Sequence, residues 1–115
     1  MSEDNLQNSI MWSPSDERIK SSQMYDFMSY VNNQFNLNIE KFDELHDWSI
    51  KEKSDFWSVI WDYFKVIGTK GDQPYVNPLN KMPGSKFFAK GKLNYAENML
   101  AGENIGSAIV FKSED

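Results

Sequence analysis

Apolar residues recur with a helical period in the first half of the chain. Between Ser22 and Asn36 the apolar side chains fall within an arc of about 100°, which predicts a helix that buries one face. They are Met24, Phe27, Met28, Val31 and Phe35. Asn36 is a suitable left-handed terminator for this helix. A shorter helix is predicted before it, with Ser13 or Ser15 as its N-cap.

The second amphipathic segment lies between residues 41 and 67. A short helical piece is expected around 41–48, and Ser49 and Glu52 then form a capping-box pattern that predicts a new helix running to about Ile67. The apolar side chains of that helix sweep about 220° and leave a polar strip of about 80°. A helix with so broad an apolar face needs cover on two sides.

Glycine and proline interrupt the helical pattern after Ile67. The stretch 68–81 predicts an extended loop with no regular element. Asn94 and Glu97 then predict the start of a short helix over 95–100.

The last apolar run, residues 108–111, is unbroken in the manner of a strand buried on both faces, so a strand is expected over 107–112. The sequence contains no second strand of that quality. In isolation, this strand is therefore expected to be disordered, to pair with another copy, or to pair with the segment near Phe87 and Phe88.

Composition narrows the class of protein. A chain of 115 residues supports one small domain. A net charge of -5 gives no broad basic footprint, so a nucleic-acid partner is not expected. The polar, acidic start of the chain does not resemble a signal peptide, and no apolar run approaches the length of about 18 residues that a membrane-spanning helix needs. Neither secretion nor a membrane-spanning segment is therefore expected, and a cytoplasmic location is predicted. Without cysteine, disulfides and thiolate metal sites are excluded.

Two groups of residues were considered as chemical sites. His46, the one histidine of the sequence, lies near Asp43, Glu44 and Asp47, and an acidic helix face with a surface histidine is the expected arrangement. No catalytic residue, cofactor-binding residue or metal ligand is assigned.

The lysine-rich segment is the second group. Lys81, Lys86, Lys90 and Lys92 alternate with Gly84 and Gly91, a mixture that can bind phosphate. The spacing departs from that of a P-loop, so a solvated loop is favoured. Of the adjacent Phe87 and Phe88, at least one is expected to pack, because neighbouring side chains in an extended segment point to opposite faces.

The aromatic helix of residues 49–67 offers either a ligand platform or a surface for packing and docking, and the second is favoured. The hypothetical docking face consists of Phe56, Trp57, Ile60, Trp61 and Phe64.

Several motifs resemble the start of acetoacetyl-CoA synthetases, a branch of the adenylate-forming acyl-CoA synthetases. They are MWSPS (11–15), FW (56–57), IWDYF (60–64), MPG (82–84) and LNYAEN (93–98). The resemblance runs from about Trp12 to the C-terminus. It implies a ligase reaction in which a carboxylate attacks ATP to give an acyl-adenylate, and CoA then displaces AMP with magnesium assisting. The family residues for this chemistry lie beyond the part that this sequence matches, and Lys86, Lys90 and Lys92 inherit no role.

The resemblance completes the predicted organisation. The fold class is mainly α: a flexible tail over 1–11, a small helical domain with an extended loop over 12–101, and over 102–115 a strand that begins a missing α/β adenylation domain. Two functions remain open. One is a non-catalytic N-terminal domain or fragment of an acetoacetate–CoA ligase, with the adenylation domain as its partner. This chain would bind no cofactor itself, and ATP, Mg and CoA are implied for the full-length family. The other is a free-standing helical interaction module that uses the aromatic face of residues 56–64. Self-association is possible in either case.

Overall fold

The computed structural model describes residues 9–103 and 105–114, and this part of the chain is mainly helical, as predicted. The helices are α1 (Asp16–Lys20), α2 (Gln23–Phe35), α3 (Phe42–Lys51), α4 (Lys53–Tyr63) and α5 (Tyr95–Leu100). The strands, each of two residues, are β1 (Gly68–Thr69), β2 (Val76–Asn77), β3 (Lys86–Phe87) and β4 (Lys92–Leu93). Strands β1 and β4 pair antiparallel, as do β2 and β3. Of the predicted tail, only residues 9–11 are described, and Ile10 and Met11 are exposed.

Polar side chains cap the first two helices, and Ser15 is one of the two caps predicted for α1. Ser15 and Ser22 accept hydrogen bonds from the backbone amides of Arg18 and Tyr25, which satisfies free donors at the starts of α1 and α2. Asn36 ends α2 in the left-handed conformation, with φ of 53°. The short helix predicted over 95–100 is confirmed as α5.

The boundary between α3 and α4 differs from the prediction. Helix α3 continues through Ser49 to Lys51, and the Ser49 hydroxyl donates to the His46 carbonyl (2.7 Å) and does not cap a new helix. Glu52 breaks the helix with φ of -108° and ψ of 56°. The capping-box interpretation of Ser49 and Glu52 was therefore wrong, because a serine inside a helix can bond back to the preceding turn.

Glu44 provides the side-chain cap at the start of α3. Its carboxylate accepts hydrogen bonds from the backbone amides of Glu40 (2.8 Å) and Lys41 (3.1 Å). Hydrogen bonds from Glu40 first, and then from Lys41, hold the pKa of Glu44 below its ordinary value.

Helix α4 ends at Tyr63, four residues before the predicted end. Phe64 is its C-cap, and Lys65 takes a left-handed conformation with φ of 53° that turns the chain out of the helix.

The loop predicted over 68–81 to lack regular elements contains β1 and β2, so that prediction was also wrong. Gly68 permits the β1–β4 pairing: a Cβ at this position would lie 2.5 Å from the Lys92 carbonyl oxygen.

The predicted C-terminal strand does not form. Within the described residues, the segment 107–112 has no strand assignment, and Ile109, Val110 and Phe111 are 84% to 89% exposed. The apolar character of this run was identified correctly, but a strand requires a neighbouring strand to satisfy its backbone groups. Among the expected outcomes, pairing with the segment near Phe87 is not observed: residues 107–112 pair with no strand among the described residues, and Phe87 pairs with Val76.

The main core lies where α2, α3 and α4 meet. Its buried members are Phe27, Met28, Val31, Leu45 and Val59. Asn32 closes one end of this core: its side-chain amide donates to the Ile39 carbonyl (2.9 Å) and accepts from the Ile39 amide (2.8 Å). Tyr63 closes another edge by donating its hydroxyl proton to Asp26 (2.7 Å), and that hydrogen bond raises the pKa of Tyr63.

Candidate docking surfaces

The predicted docking face on α4 is divided between two sides of the helix. On the first side, Phe56 and Ile60 are partly buried against the main core. The Phe56 ring lies edge-on to Phe27 (6.3 Å between centroids) and to Trp48 (6.2 Å). These two members of the face therefore serve mainly to hold α4 against α2 and α3.

The second side of α4 is covered by Phe87 in β3 and by Phe88, which follows it. Trp61 packs on Phe88 with 5.0 Å between centroids, and Trp57 packs on Phe87 at 5.6 Å. Trp61 is only 9% exposed. The broad apolar arc of α4 thus receives cover on two sides, as predicted, and Trp61 belongs to a second core and not to a surface.

Phe88 takes an uncommon backbone conformation to reach Trp61. Its φ is 46°, a left-handed value that bulky residues rarely adopt. Two backbone hydrogen bonds hold it there, from the Phe88 amide to the Tyr75 carbonyl (2.7 Å) and from the Gly91 amide to the Phe88 carbonyl (2.8 Å). A bulky residue in this conformation costs on the order of 1 kcal/mol, and it keeps the conformation only where the surrounding contacts hold its backbone in place.

Lys70 attaches the segment between β1 and β2 to α4, and no sequence pattern predicted this attachment. Its ammonium group donates to the Ser58 hydroxyl (3.0 Å) and to the Asp62 carboxylate (2.8 Å). It also lies 5.3 Å from the centre of the Tyr75 ring. Three partners from two segments make Lys70 part of the loop's attachment to the helix.

Trp57 and Phe64 are the members of the predicted face that keep substantial exposure, at 38% and 54%. Phe64, with Met24 and Phe42, borders an open apolar pocket of about 290 Å³ between α2, α3 and α4. The five predicted docking residues therefore do not form one continuous surface.

His46 lies at the edge of that pocket, stacked on Phe42 with 6.1 Å between ring centroids. Glu44, one of its acidic neighbours, is engaged in capping α3. Over residues 9–103 and 105–114, no group of three or more potential metal ligands comes together.

The lysine-rich segment is exposed and distributed over different elements. Lys86 lies in β3 and Lys92 in β4, two different sheets. Lys90 forms an ion pair with Asp72 (3.3 Å) in which both side chains are largely exposed. Such a pair contributes little to stability. The solvated-loop interpretation fits this arrangement.

A second apolar surface, on α5, was not anticipated from the sequence. Asn98 fixes the helix to the chain before β1: its side-chain oxygen accepts from the Ile67 amide (2.8 Å) and its side-chain nitrogen donates to the Ile67 carbonyl (3.0 Å). On the outer side of α5, Tyr95 and Met99 are 73% and 61% exposed. The i, i+4 spacing of these two residues could have suggested a face, but not which way it points.

Comparison with known proteins relates almost all of the sequence to one group of enzymes. The chain is 34% identical over 105 residues, 91% of its length, to acetoacetyl-coenzyme A synthetase of Rhizobium meliloti (strain 1021). The chain is related to the acetoacetyl-CoA synthetases. The acetoacetyl-CoA synthetase of Danio rerio is 29% identical over 100 residues, covering 86% of the chain. Malonamoyl-CoA synthetase vrtB of Penicillium aethiopicum is 33% identical over 82 residues, covering 70%.

The chain spans only a small part of these acetoacetyl-CoA and malonamoyl-CoA synthetases. The matched residues make up 16%, 15% and 11% of the three relatives, in the same order. The resemblance predicted from the motifs is confirmed, and this coverage is consistent with an N-terminal domain. No protein-family model matches the chain, and no solved structure does either. In the part of the chain that the structure describes, no helix is long and apolar enough to cross a membrane.

Proposed function

We propose that this chain is the non-catalytic N-terminal domain of a cytoplasmic acetoacetate–CoA ligase, and that it acts by packing against the adenylation domain. The observation that carries the proposal is the match of 91% of the chain to 16% of an acetoacetyl-coenzyme A synthetase. A segment that is matched over nearly its whole length inside a much longer enzyme behaves as a unit of that enzyme.

The arrangement of polar residues supports a structural role for the chain. The side chains with the most specific contacts, Glu44, Asn98 and Lys70, bind the chain's own backbone or its own neighbouring side chains. In the proposed enzyme, ATP, magnesium and CoA are bound by the remaining part of the polypeptide. The reaction there is the two-step formation of an acyl-adenylate and then a thioester.

A chimeric enzyme tests the proposal. The matched 105 residues of the Rhizobium meliloti relative are replaced by the corresponding residues of this chain. We expect acetoacetate-dependent pyrophosphate release within about tenfold of the parent rate, a loss of no more than about 1.4 kcal/mol of transition-state stabilisation. The same enzyme with the segment deleted is the control and should lose most of its activity, because deletion uncovers the apolar surface on which the segment packs.

The outcomes of the chimera experiment separate the two candidate functions. A chimera that folds, as judged by circular dichroism, and is no more active than the deletion variant contradicts the ligase-domain proposal. That result would favour the free-standing interaction module, for which the exposed Trp57 and Phe64 are the available aromatic contacts.

A further inference from the structure

Helix α5 has only six residues and is attached to the rest of the chain by side-chain hydrogen bonds. Asn98 forms two hydrogen bonds to the backbone of Ile67, and Asn94 caps the helix by accepting from the Glu97 amide (3.1 Å). Immediately before the helix, Leu93 in β4 pairs with Gly68 in β1. An isolated helix of this length would not persist in water, so these attachments fix its orientation.

This fixed helix turns its apolar side chains away from the core. Tyr95 and Met99 lie on its outer side, and Leu100 is 80% exposed. The apolar exposure continues along the chain to Ile105 and to residues 109–111. Isolated exposed apolar residues are common on protein surfaces, whereas a continuous series of them is typical of an interaction surface.

The molecule is more extended than a compact domain of its length. Its radius of gyration is 19.9 Å, whereas a compact domain of this length has about 13 Å. Part of the chain therefore lies away from the core. The matched relatives extend well beyond the matched segment, because that segment is 16% or less of their length.

We infer that the outer side of α5 is the surface that contacts the adenylation domain, and that the aromatic side of α4 is not. The inference rests on the proposed function and identifies its contact surface. On α4, Trp61 is already covered by Phe88, and Phe56 by the core. On α5, Tyr95 and Met99 have the exposure that a partner domain would remove.

Hydrogen exchange in two polypeptides tests this surface without relying on activity. The isolated 115-residue chain is compared with the chimeric enzyme described above, each as wild type and as the variant Tyr95→Lys with Met99→Lys. In the chimera, we expect the α5 amides to exchange at least about tenfold more slowly than in the isolated chain. The double variant should remove that protection, because burying a lysine in an apolar contact is unfavourable.

Met24→Lys is the matched control, since Met24 is an exposed methionine at the edge of the pocket on α2. It should leave α5 protection in the chimera unchanged. In the isolated chain, all three substitutions should leave the exchange of α3 amides unchanged, because their side chains are exposed there.

Each result decides one question. If the wild-type chimera is active but its α5 amides are no better protected than in the isolated chain, the inferred surface is wrong while the proposed function stands. Protection lost with Met24→Lys and kept with the double variant would place the contact at the α2–α4 pocket. Protection of α5 in the isolated chain that increases with its concentration would show that a second copy occupies this surface. An inactive, folded chimera would contradict the proposed function itself.

Discussion

Replacing Trp61 by alanine is the sharpest test of the two-sided packing of α4. The side chain is 9% exposed and its ring lies 5.0 Å from Phe88. Truncating a buried tryptophan to alanine costs about 3 to 5 kcal/mol, the sum of lost burial and the cavity left behind. Small domains have a total stability of about 5 to 15 kcal/mol, so this loss would be a large fraction of it.

Urea unfolding followed by circular dichroism measures that loss. With a slope of about 1 to 3 kcal/mol per molar urea, the midpoint of Trp61→Ala should fall by more than about 1 M. Trp12→Ala is the matched control, because Trp12 is 68% exposed and contacts Arg18 at 5.7 Å, a cation–π contact of about 0.5 to 1 kcal/mol. If Trp61→Ala does not fold, Trp61→Phe should still lose about 1 to 2 kcal/mol.

A specific result would refute this packing. If Trp61→Ala costs no more than Trp12→Ala and the slope of the urea transition is unchanged, Trp61 lies at the surface. The docking face predicted on α4 from the sequence would then be restored, and Phe87 and Phe88 would not form a structural layer over the helix.

Three further predictions concern titration and the chain end. Because the pKa of Glu44 is lowered, the stability that its carboxylate contributes is present above the ordinary glutamate pKa of about 4.3 and is lost as the pH falls through the lowered pKa. The stability difference between wild type and Glu44→Gln should therefore shrink in urea melts taken toward about pH 2. A constant difference would contradict the capping role. The raised pKa of Tyr63 works in the opposite sense, because the stability from its hydrogen bond to Asp26 is fully present below about pH 10 and is lost above it. The stability of Tyr63→Phe should therefore approach that of the wild type in melts at high pH. A stability difference that widens there would contradict the role of this hydrogen bond. Deleting residues 103–115 should cost less than about 1 kcal/mol in a urea melt, because Ile109, Val110 and Phe111 are exposed; a loss of several kcal/mol would show that they belong to a core.

Local chemistry made part of the fold predictable. Ser15 and Asn94 cap helices through their own side chains, and Asn36 ends α2 because asparagine tolerates the left-handed conformation. The apolar period of α2 correctly identified Phe27, Met28 and Val31 as buried, whereas Met24 of the same predicted face is 47% exposed. In each case the information lies within about four residues of the position concerned.

Features that depend on distant partners could not be predicted in the same way. The pairing of Val76 with Phe87 and the covering of Trp61 by Phe88 are set by tertiary contacts, which leave no periodic signal in two-residue strands. Ser49 illustrates a local ambiguity, because the same residue can cap a new helix or bond back within an existing one.

The candidate surface was missed for the same reason. The sequence predicted α5 correctly, but which side of the helix remains outside depends on distant contacts: the hydrogen bonds between Asn98 and Ile67 and the pairing of Leu93 with Gly68. An asparagine within a short helix carries no sign of a partner thirty-one residues away. The aromatic content of α4 directed attention to residues whose contacts the chain itself satisfies.

Pyrophosphate release by the purified 115-residue chain tests most directly the central claim that this chain contributes packing and not chemistry. The chain is supplied with ATP, magnesium, acetoacetate and CoA, and the full-length Rhizobium meliloti relative serves as the positive control. We expect no acetoacetate-dependent release above that of a heat-denatured sample. Steady acetoacetate-dependent release by the chain alone would contradict it.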